Sequence, residues 1–192
     1  YLVKGSEKTA LFETSKLEFF DEFLANVREV CDPASIDYIV VDHTEPDHSG
    51  SLEKLLALAP NATVLGSATA LNFLKQIVNH EFACRAVTEK DTVDLGGMTL
   101  HFLSVPFLHW PDSMYTYIPE AKALFTCDSF GCHYADSRVF NDLIEGDFTP
   151  AYKYYFDCII GPFKRPYMVN ALGKIKGLDI EFVGNGHGPV LR

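Results

Sequence analysis

Residues 37–50 read DYIVVDHTEPDHSG, and this stretch decides how the rest of the chain is interpreted. Its first part, DYIVVD, is rich in β-branched and aromatic residues and predicts a buried strand. The segment 52–59, LEKLLALA, follows with leucines at helical spacing, and Ser49 or Ser51 is available as its N-cap. The polar cluster HTEPDHSG at 43–50 is therefore expected in a strand-to-helix loop, where a rigid scaffold commonly presents chemistry.

Three other predicted strands also end in potential metal ligands. One ligand follows MTLHFLSV, one follows ALFTC, and one follows IEFVG. Loops at one edge of a layered sheet lie side by side, so residues far apart in sequence can converge there. The seven candidate ligands are His43, Glu45, Asp47, His48, His109, Asp128 and His187. Four imidazoles and three carboxylates suit two borderline transition-metal ions that share a bridging carboxylate.

Composition excludes several classes of protein. The chain has 192 residues, 47% of them hydrophobic, which fits one globular domain covering 1–192. A net charge of −10 without any Lys/Arg-rich run argues against nucleic acid or an anionic membrane as a partner. No apolar run approaches the ~20 residues of a membrane span, and no signal peptide opens the chain. Five cysteines cannot form a complete disulfide framework, so a soluble protein of the reducing cytoplasm is expected.

The remaining pattern alternates strands with helices. Predicted strands cover 10–14, 36–42, 62–66, 84–87, 98–105, 114–118, 123–127 and 180–184. Predicted helices cover 17–31, 51–58 and 68–78, and helices dominate from 137 to 176. No repeat, low-complexity stretch or linker interrupts the pattern, which predicts a layered α/β domain. Because the first residue is a tyrosine rather than a methionine, the chain is expected to be part of something longer.

The order and spacing of the seven candidates resemble the diiron site of the flavodiiron proteins, a branch of the metallo-β-lactamase fold. The resemblance rests on H-x-E-x-D-H at 43–48, HW-PDS at 109–113, DSFG at 128–131 and GHGP at 186–189. It implies an αββα sandwich, here incomplete at its N-terminus, with two irons joined by an oxo or hydroxo bridge. It also implies that His43, Glu45 and His109 ligate one iron. Asp47, His48 and His187 would ligate the other, and Asp128 would bridge the two.

Glu45 bears on the identity of the metal. Hydrolytic relatives of this fold usually carry histidine at that position, which gives a zinc-type site. A carboxylate adds a hard anionic donor that favours ferric iron, and three carboxylates nearly offset the charge of two ferrous ions. The substitution therefore favours redox chemistry over hydrolysis.

The resemblance implies a diiron protein that binds and reduces dioxygen or nitric oxide. An alternative is an oxygen-binding sensor whose readout lies in a partner signalling domain, and a zinc hydrolase is disfavoured by Glu45. No phosphate-binding loop of the flavodoxin kind occurs in the sequence, so FMN is expected only from another domain or partner. Electrons would come from a flavoprotein or a rubredoxin-like donor, and a homodimer is expected only with a flavin domain.

Several residues near the predicted ligands have two interpretations. Trp110 follows a ligand, and Tyr154 and Tyr155 lie in the aromatic run YKYYF; they either wall the pocket or belong to the core. His133 is a candidate hydrogen-bond partner of a ligand. The cysteines of CDSFGC, at 127–132, lack C-x-x-C spacing and are interpreted as packing residues rather than a redox pair.

Overall fold

Two five-stranded sheets form the centre of the computed structural model, which describes all residues 1–192. In spatial order, the first sheet contains β1 (Leu2–Lys4), β2 (Thr9–Phe12), β3 (Tyr38–Val41), β4 (Thr63–Gly66) and β5 (Cys84–Ala86). The pair β1–β2 is antiparallel, and the other neighbours are parallel. The carboxyl ends of β2, β3 and β4 therefore meet at one edge of this sheet.

The second sheet has the spatial order β10, β9, β8, β7, β6. Its strands are β6 (Thr92–Asp94), β7 (Thr99–Ser104), β8 (Met114–Ile118), β9 (Ala123–Cys127) and β10 (Phe182–Asn185). All neighbours are antiparallel except β9 and β10, which run parallel. The ends of β9 and β10 consequently lie side by side.

Six α-helices flank the sheets. They are α1 (Phe20–Val30), α2 (Pro46–Ser49), α3 (Leu52–Leu56), α4 (Ala68–Ile77), α5 (Thr149–Tyr155) and α6 (Val169–Ile175). Short π-helical segments at Phe156–Ile160 and Lys164–Met168 and a 3₁₀ turn at Gly161–Phe163 connect α5 to α6. None of these helices combines the length and the apolar character needed to cross a membrane.

Alternate residues of the first sheet face two different cores. In β3, Ile39 and Val41 pack with the helices on the outer face, whereas Val40 packs against the second sheet. All three side chains are fully buried, and burial of each contributes about 1.5–3 kcal/mol. A slip of one residue would exchange the two faces, so this pattern fixes the register of the strand.

Helices cover the outer face of each sheet. Phe20, Leu24 and Val27 of α1 recur at helical spacing and join the outer core of the first sheet. Tyr115 and Leu124 of the second sheet pack with residues of the segment between α5 and α6. The layers are therefore helix, sheet, sheet and helix, which confirms the predicted αββα sandwich.

Most predicted elements are present, with boundaries shifted by a few residues. The helix predicted over 17–31 begins as a 3₁₀ turn at Leu17–Phe19 and becomes α1 at Phe20. The prediction missed β1 and β6, which are edge strands of three residues each and too short to show periodicity. The region predicted as mainly helical from 137 becomes α-helical only at Thr149.

Candidate metal centre

The polar cluster after β3 contains the short helix α2, whereas the sequence predicted a loop throughout 43–50. Glu45 is the N-cap residue of α2, and Pro46 occupies the first helical position. Proline suits this position because its missing N–H would have no helical partner there. Asp47 lies in the first turn, where the helix dipole favours a carboxylate.

The other three ligand candidates belong to the second sheet. His109 lies in the loop between β7 and β8, Asp128 directly follows β9, and His187 lies just beyond β10. All seven candidates nevertheless come together, because the ends of β3, β9 and β10 meet at one edge of the sandwich.

Asp128 lies between two groups of donors. Its Oδ2 is 2.9 Å from His109 Nε2 and 3.6 Å from His43 Nε2. Its Oδ1 is 2.9 Å from His48 Nε2 and 3.2 Å from His187 Nε2. Each oxygen thus faces its own pair of imidazoles, which is the geometry of a bridging carboxylate.

One further carboxylate completes each group. Glu45 Oε2 lies 3.0 Å from His109 Nε2 and 3.3 Å from His43 Nε2, and these three residues form the first half-site. Asp47 Oδ2 lies 3.2 Å from His187 Nε2, and Asp47, His48 and His187 form the second half-site. The donor atoms of the first half-site, together with Asp128, lie within 4.8 Å of one another, as do those of the second half-site.

The carboxylates and imidazoles shift one another's pKa values. Burial alone would raise the pKa of Asp128, but the close imidazoles of His109, His187 and His48 hold it far below its usual range. The close carboxylates of Asp128 and Asp47 raise the pKa of His187 to about 10. The carboxylates therefore create a site that strongly favours positive charge.

Three polar atoms at the second half-site are buried without a hydrogen bond: Asp47 Oδ1, His48 Nε2 and Asp128 Oδ1. Although His48 Nε2 and Asp128 Oδ1 are only 2.9 Å apart, they are not aligned for a hydrogen bond. Leaving such an atom unsatisfied costs about 1–3 kcal/mol. A cation shared by these lone pairs would satisfy all three, so the donor set fits a metal ion.

Two carboxylates that support the cluster, those of Asp112 and Glu13, were missed by the sequence prediction. Asp112 Oδ2 accepts hydrogen bonds from Thr44 N at 2.7 Å and Thr44 Oγ1 at 2.9 Å, and lies 3.4 Å from His43 Nδ1. Glu13 Oε1 accepts from the backbone N–H of His43 at 3.2 Å. The available signal was weak: Asp112 is an acidic residue three positions after a ligand, and Glu13 ends an apolar strand.

The candidate pocket residues separate into two groups. The Trp110 ring lies 5.1 Å from the His43 ring, and the His133 ring lies 5.2 Å from the His187 ring. Tyr155 is buried, with its ring 5.9 Å from that of His187. Tyr154 is 72% exposed and does not line the cluster. It is next to Tyr155 in α5, and consecutive helical residues point to different faces of the helix. The structure thus brings three of the four to the site.

Cys127 and Cys132 are both buried free thiols. Cys127 donates a hydrogen bond to Glu13 Oε1, and its sulfur lies 3.6 Å from His48 Nδ1. Cys132 packs in the apolar core of the second sheet. Their different surroundings agree with the interpretation that they are not a redox pair.

The αββα sandwich and the histidine and carboxylate cluster together define a metallo-β-lactamase-like domain. Residues 1–188 match the model of the family described as ODP family beta lactamase. The chain belongs to this family and is the β-lactamase-like core found in flavodiiron proteins, which confirms the resemblance seen in the sequence.

Individual relatives agree with this assignment. The chain is 45% identical over 195 residues to flavo-diiron protein FprA2 of Clostridium acetobutylicum, covering 100% of the chain and 48% of the relative. It is 42% identical over 195 residues to type A flavoprotein fprA of Rhodobacter capsulatus, covering 100% of the chain and 44% of the relative.

Solved structures show the same similarity. The flavodiiron protein of Giardia intestinalis superposes with a TM-score of 0.93 at 34% identity, with 100% of this chain and 47% of that one covered. Rubredoxin oxygen:oxidoreductase of Desulfovibrio gigas superposes with a TM-score of 0.93 at 32% identity, with 100% of this chain and 48% of that one covered. The chain therefore spans about half the length of the relatives it matches.

Proposed function

We propose that this chain is the diiron domain of an oxidoreductase that reduces dioxygen or nitric oxide. The observation that carries the proposal is the position of Asp128, whose two oxygens face separate pairs of imidazoles. Family membership and relatives named as flavodiiron proteins support the same function.

The residues fit two iron ions. His43, Glu45 and His109 would hold one ion and Asp47, His48 and His187 the other, with Asp128 shared between them. The mixture of imidazole and carboxylate donors suits ferrous and ferric iron. When bound, two ferrous ions supply two electrons to a diatomic substrate.

The exposure of the side chains defines the open side of the centre. The side chains of Glu45 and Asp47 are each 35% exposed, whereas that of Asp128 is 2% exposed and that of His43 is fully buried. A small substrate would therefore approach between the two exposed carboxylates. Trp110 closes one flank by its edge-on contact with the ring of His43.

Tyr155 lies on another flank of the centre, against the ring of His187. Burial and the nearby charge of Asp128 raise the pKa of the Tyr155 hydroxyl far above its usual range. The hydroxyl therefore keeps its proton at neutral pH. It can act as a hydrogen-bond donor next to the centre, where reduction of either substrate generates negative charge.

We propose that electrons reach the centre from a flavoprotein carrying FMN or from a rubredoxin-like donor. Relatives named as flavoproteins and as a rubredoxin oxygen:oxidoreductase support this route. A flavin domain in the same polypeptide would favour a homodimer that brings the flavin of one copy to the iron of another. The five free cysteines are compatible with a reducing, cytoplasmic location.

The experiment that tests the proposal uses protein loaded anaerobically with ferrous iron and supplied with a reduced flavoprotein or rubredoxin. We expect repeated consumption of dioxygen or nitric oxide, measured with a gas-selective electrode. The Asp128→Asn variant serves as the control that should lose this turnover. A long-lived oxygen adduct without turnover would instead indicate a sensor, and retention of zinc with hydrolytic activity would indicate a hydrolase.

A further inference from the structure

His48 has contacts on both sides of its ring. Its Nε2 faces Asp128 Oδ1 in the second half-site, at 2.9 Å. Its Nδ1 faces inward and lies 3.6 Å from the sulfur of Cys127. His48 and Cys127 are each only 4% exposed, so water does not surround the contact. The side of His48 away from the metal centre therefore depends on protein groups alone.

The Cys127 thiol connects His48 to Glu13. Its sulfur donates to Glu13 Oε1 over 3.2 Å. The same carboxylate oxygen accepts from the backbone N–H groups of Asp42 at 2.7 Å and His43 at 3.2 Å. Glu13 thereby links the backbone of the first half-site to the ring of the second.

The backbone at both positions is held in an unfavourable conformation. Glu13 has φ of 58° and Cys127 has φ of 51°, in the left-handed region that non-glycine residues rarely adopt. Such conformations persist only where the surrounding structure over-determines them. The next residue, Thr14, also fixes His48, because its backbone N–H and its hydroxyl both donate to the His48 carbonyl at 2.7 Å.

We propose that Glu13 and Cys127 are positioning residues that fix the tautomer and orientation of His48 through the chain Nδ1–H···Sγ–H···Oε1. With the proton on Nδ1, the lone pair of Nε2 faces the centre, as a metal ligand requires. A thiol can serve in the middle of this chain because it both donates and accepts, while a carboxylate is an acceptor at its end. The inference rests on the proposed diiron function and adds the residues that orient one of its ligands.

The test compares Cys127→Ala with Cys127→Ser in cobalt(II) titrations of the protein, followed by visible absorption. Alanine and serine have similar volumes, so a difference in cobalt affinity between the two variants reports the effect of the hydroxyl group rather than of side-chain volume. We expect two cobalt ions per chain in the parent. Cys127→Ala should weaken one binding event about 10–100-fold, the usual effect of losing a ligand's outer partner, and leave the other nearly unchanged.

Cys127→Ser should recover much of the lost affinity, because its hydroxyl can donate to Glu13 and accept from His48. Cys132→Ala is the matched control. It removes a thiol that is 1% exposed and lies in the apolar core, and it should leave both affinities unchanged. Thermal unfolding of the metal-free variants, followed by circular dichroism, compares their folds.

Four results would overturn the inference. Equal affinities in the alanine and serine variants would reduce Cys127 to a space-filling role, and unchanged affinities in both would remove any role. An intense near-ultraviolet thiolate-to-cobalt band in the parent, absent from Cys127→Ala, would make Cys127 a ligand, since its sulfur and donor atoms of Glu13 and His48 lie within 4.8 Å of one another. A parent that binds fewer than two cobalt ions would overturn the diiron function and this inference with it.

Discussion

Replacing Asp112 by asparagine should weaken the first half-site without moving a heavy atom. The Asp112 side chain is completely buried, and its Oδ2 accepts from Thr44 N, Thr44 Oγ1 and His43 Nδ1. An amide of the same shape keeps one acceptor oxygen but presents an NH₂ group in place of the other. All three donors converge on Oδ2 and Oδ1 has no hydrogen-bond partner, so the amide oxygen should take the place of Oδ2 and keep these bonds without the negative charge that strengthens them. A neutral acceptor holds the Nδ1–H of His43 less firmly, so the Nε2 lone pair is less well oriented toward a metal ion.

The magnitude follows from the change of these bonds from charged to neutral. Hydrogen bonds to charged groups contribute about 1.5–3 kcal/mol and neutral ones about 0.5–1.5 kcal/mol, so the free energy of unfolding should fall by roughly 1–3 kcal/mol. Loss of an outer partner typically lowers metal affinity about 10–100-fold, which corresponds to about 1.4–2.7 kcal/mol. The second half-site should keep its affinity, because Asp112 contacts none of its residues.

The assay combines urea unfolding of the metal-free protein with cobalt(II) titration. Asp94→Asn is the control with the same change of charge, since Asp94 caps the turn at Gly96 and Gly97, away from the centre. Unchanged cobalt affinity in Asp112→Asn would show that Asp112 stabilises the loop without orienting His43. An equal loss in Asp94→Asn would show that net charge alone sets the affinity.

Three further outcomes are expected. Asp128→Ala should leave fewer than one metal ion per chain by elemental analysis, whereas His187→Ala should retain about one, because the Asp128 carboxylate faces ligand nitrogens of both half-sites. Equal loss in the two variants would contradict a bridging role. Glu45→His should lower the ratio of iron to zinc retained after loading with both metals, because a hard anionic donor is lost. An unchanged ratio would show that Glu45 does not select the metal. Ferrous protein without an electron donor should form at most about one nitrous oxide per iron pair, measured by gas chromatography. Coupling two nitric oxide molecules takes two electrons, and each ferrous ion gives one. Many turnovers without a donor would refute this electron count.

The layered fold and the ligand candidates were predictable because both depend on local pattern. The apolar run before His43 has the composition of a buried strand, and the strand appears as Tyr38–Val41. His109, Asp128 and His187 each follow a predicted strand that is present in the structure. Position after a strand is a local property, and the meeting of strand ends at one sheet edge is a general property of such sheets.

The supporting residues could not be predicted, because their partners are distant in sequence. Asp112 lies 68 positions from Thr44, and Cys127 lies 114 positions from Glu13. No local spacing links residues so far apart. Asp112 belongs to HW-PDS at 109–113, but that motif does not show which residues it contacts, and Glu13 belongs to no motif. Two adjacent tyrosines illustrate a different limit, since the sequence does not show which face of α5 is buried: Tyr155 is 4% exposed and Tyr154 is 72% exposed.

The position of the centre between the two sheets explains why its support extends into the core. Each half-site combines residues from the loop after β3 with a histidine from the second sheet, and Asp128 also comes from the second sheet. A shift of one sheet relative to the other would therefore displace donors in both half-sites at once. Val40 and Phe125, which pack between the sheets, oppose such a shift because a close-packed interior resists deformation. Glu13 reinforces the same arrangement by joining β2, the loop after β3 and the end of β9 through a single carboxylate oxygen.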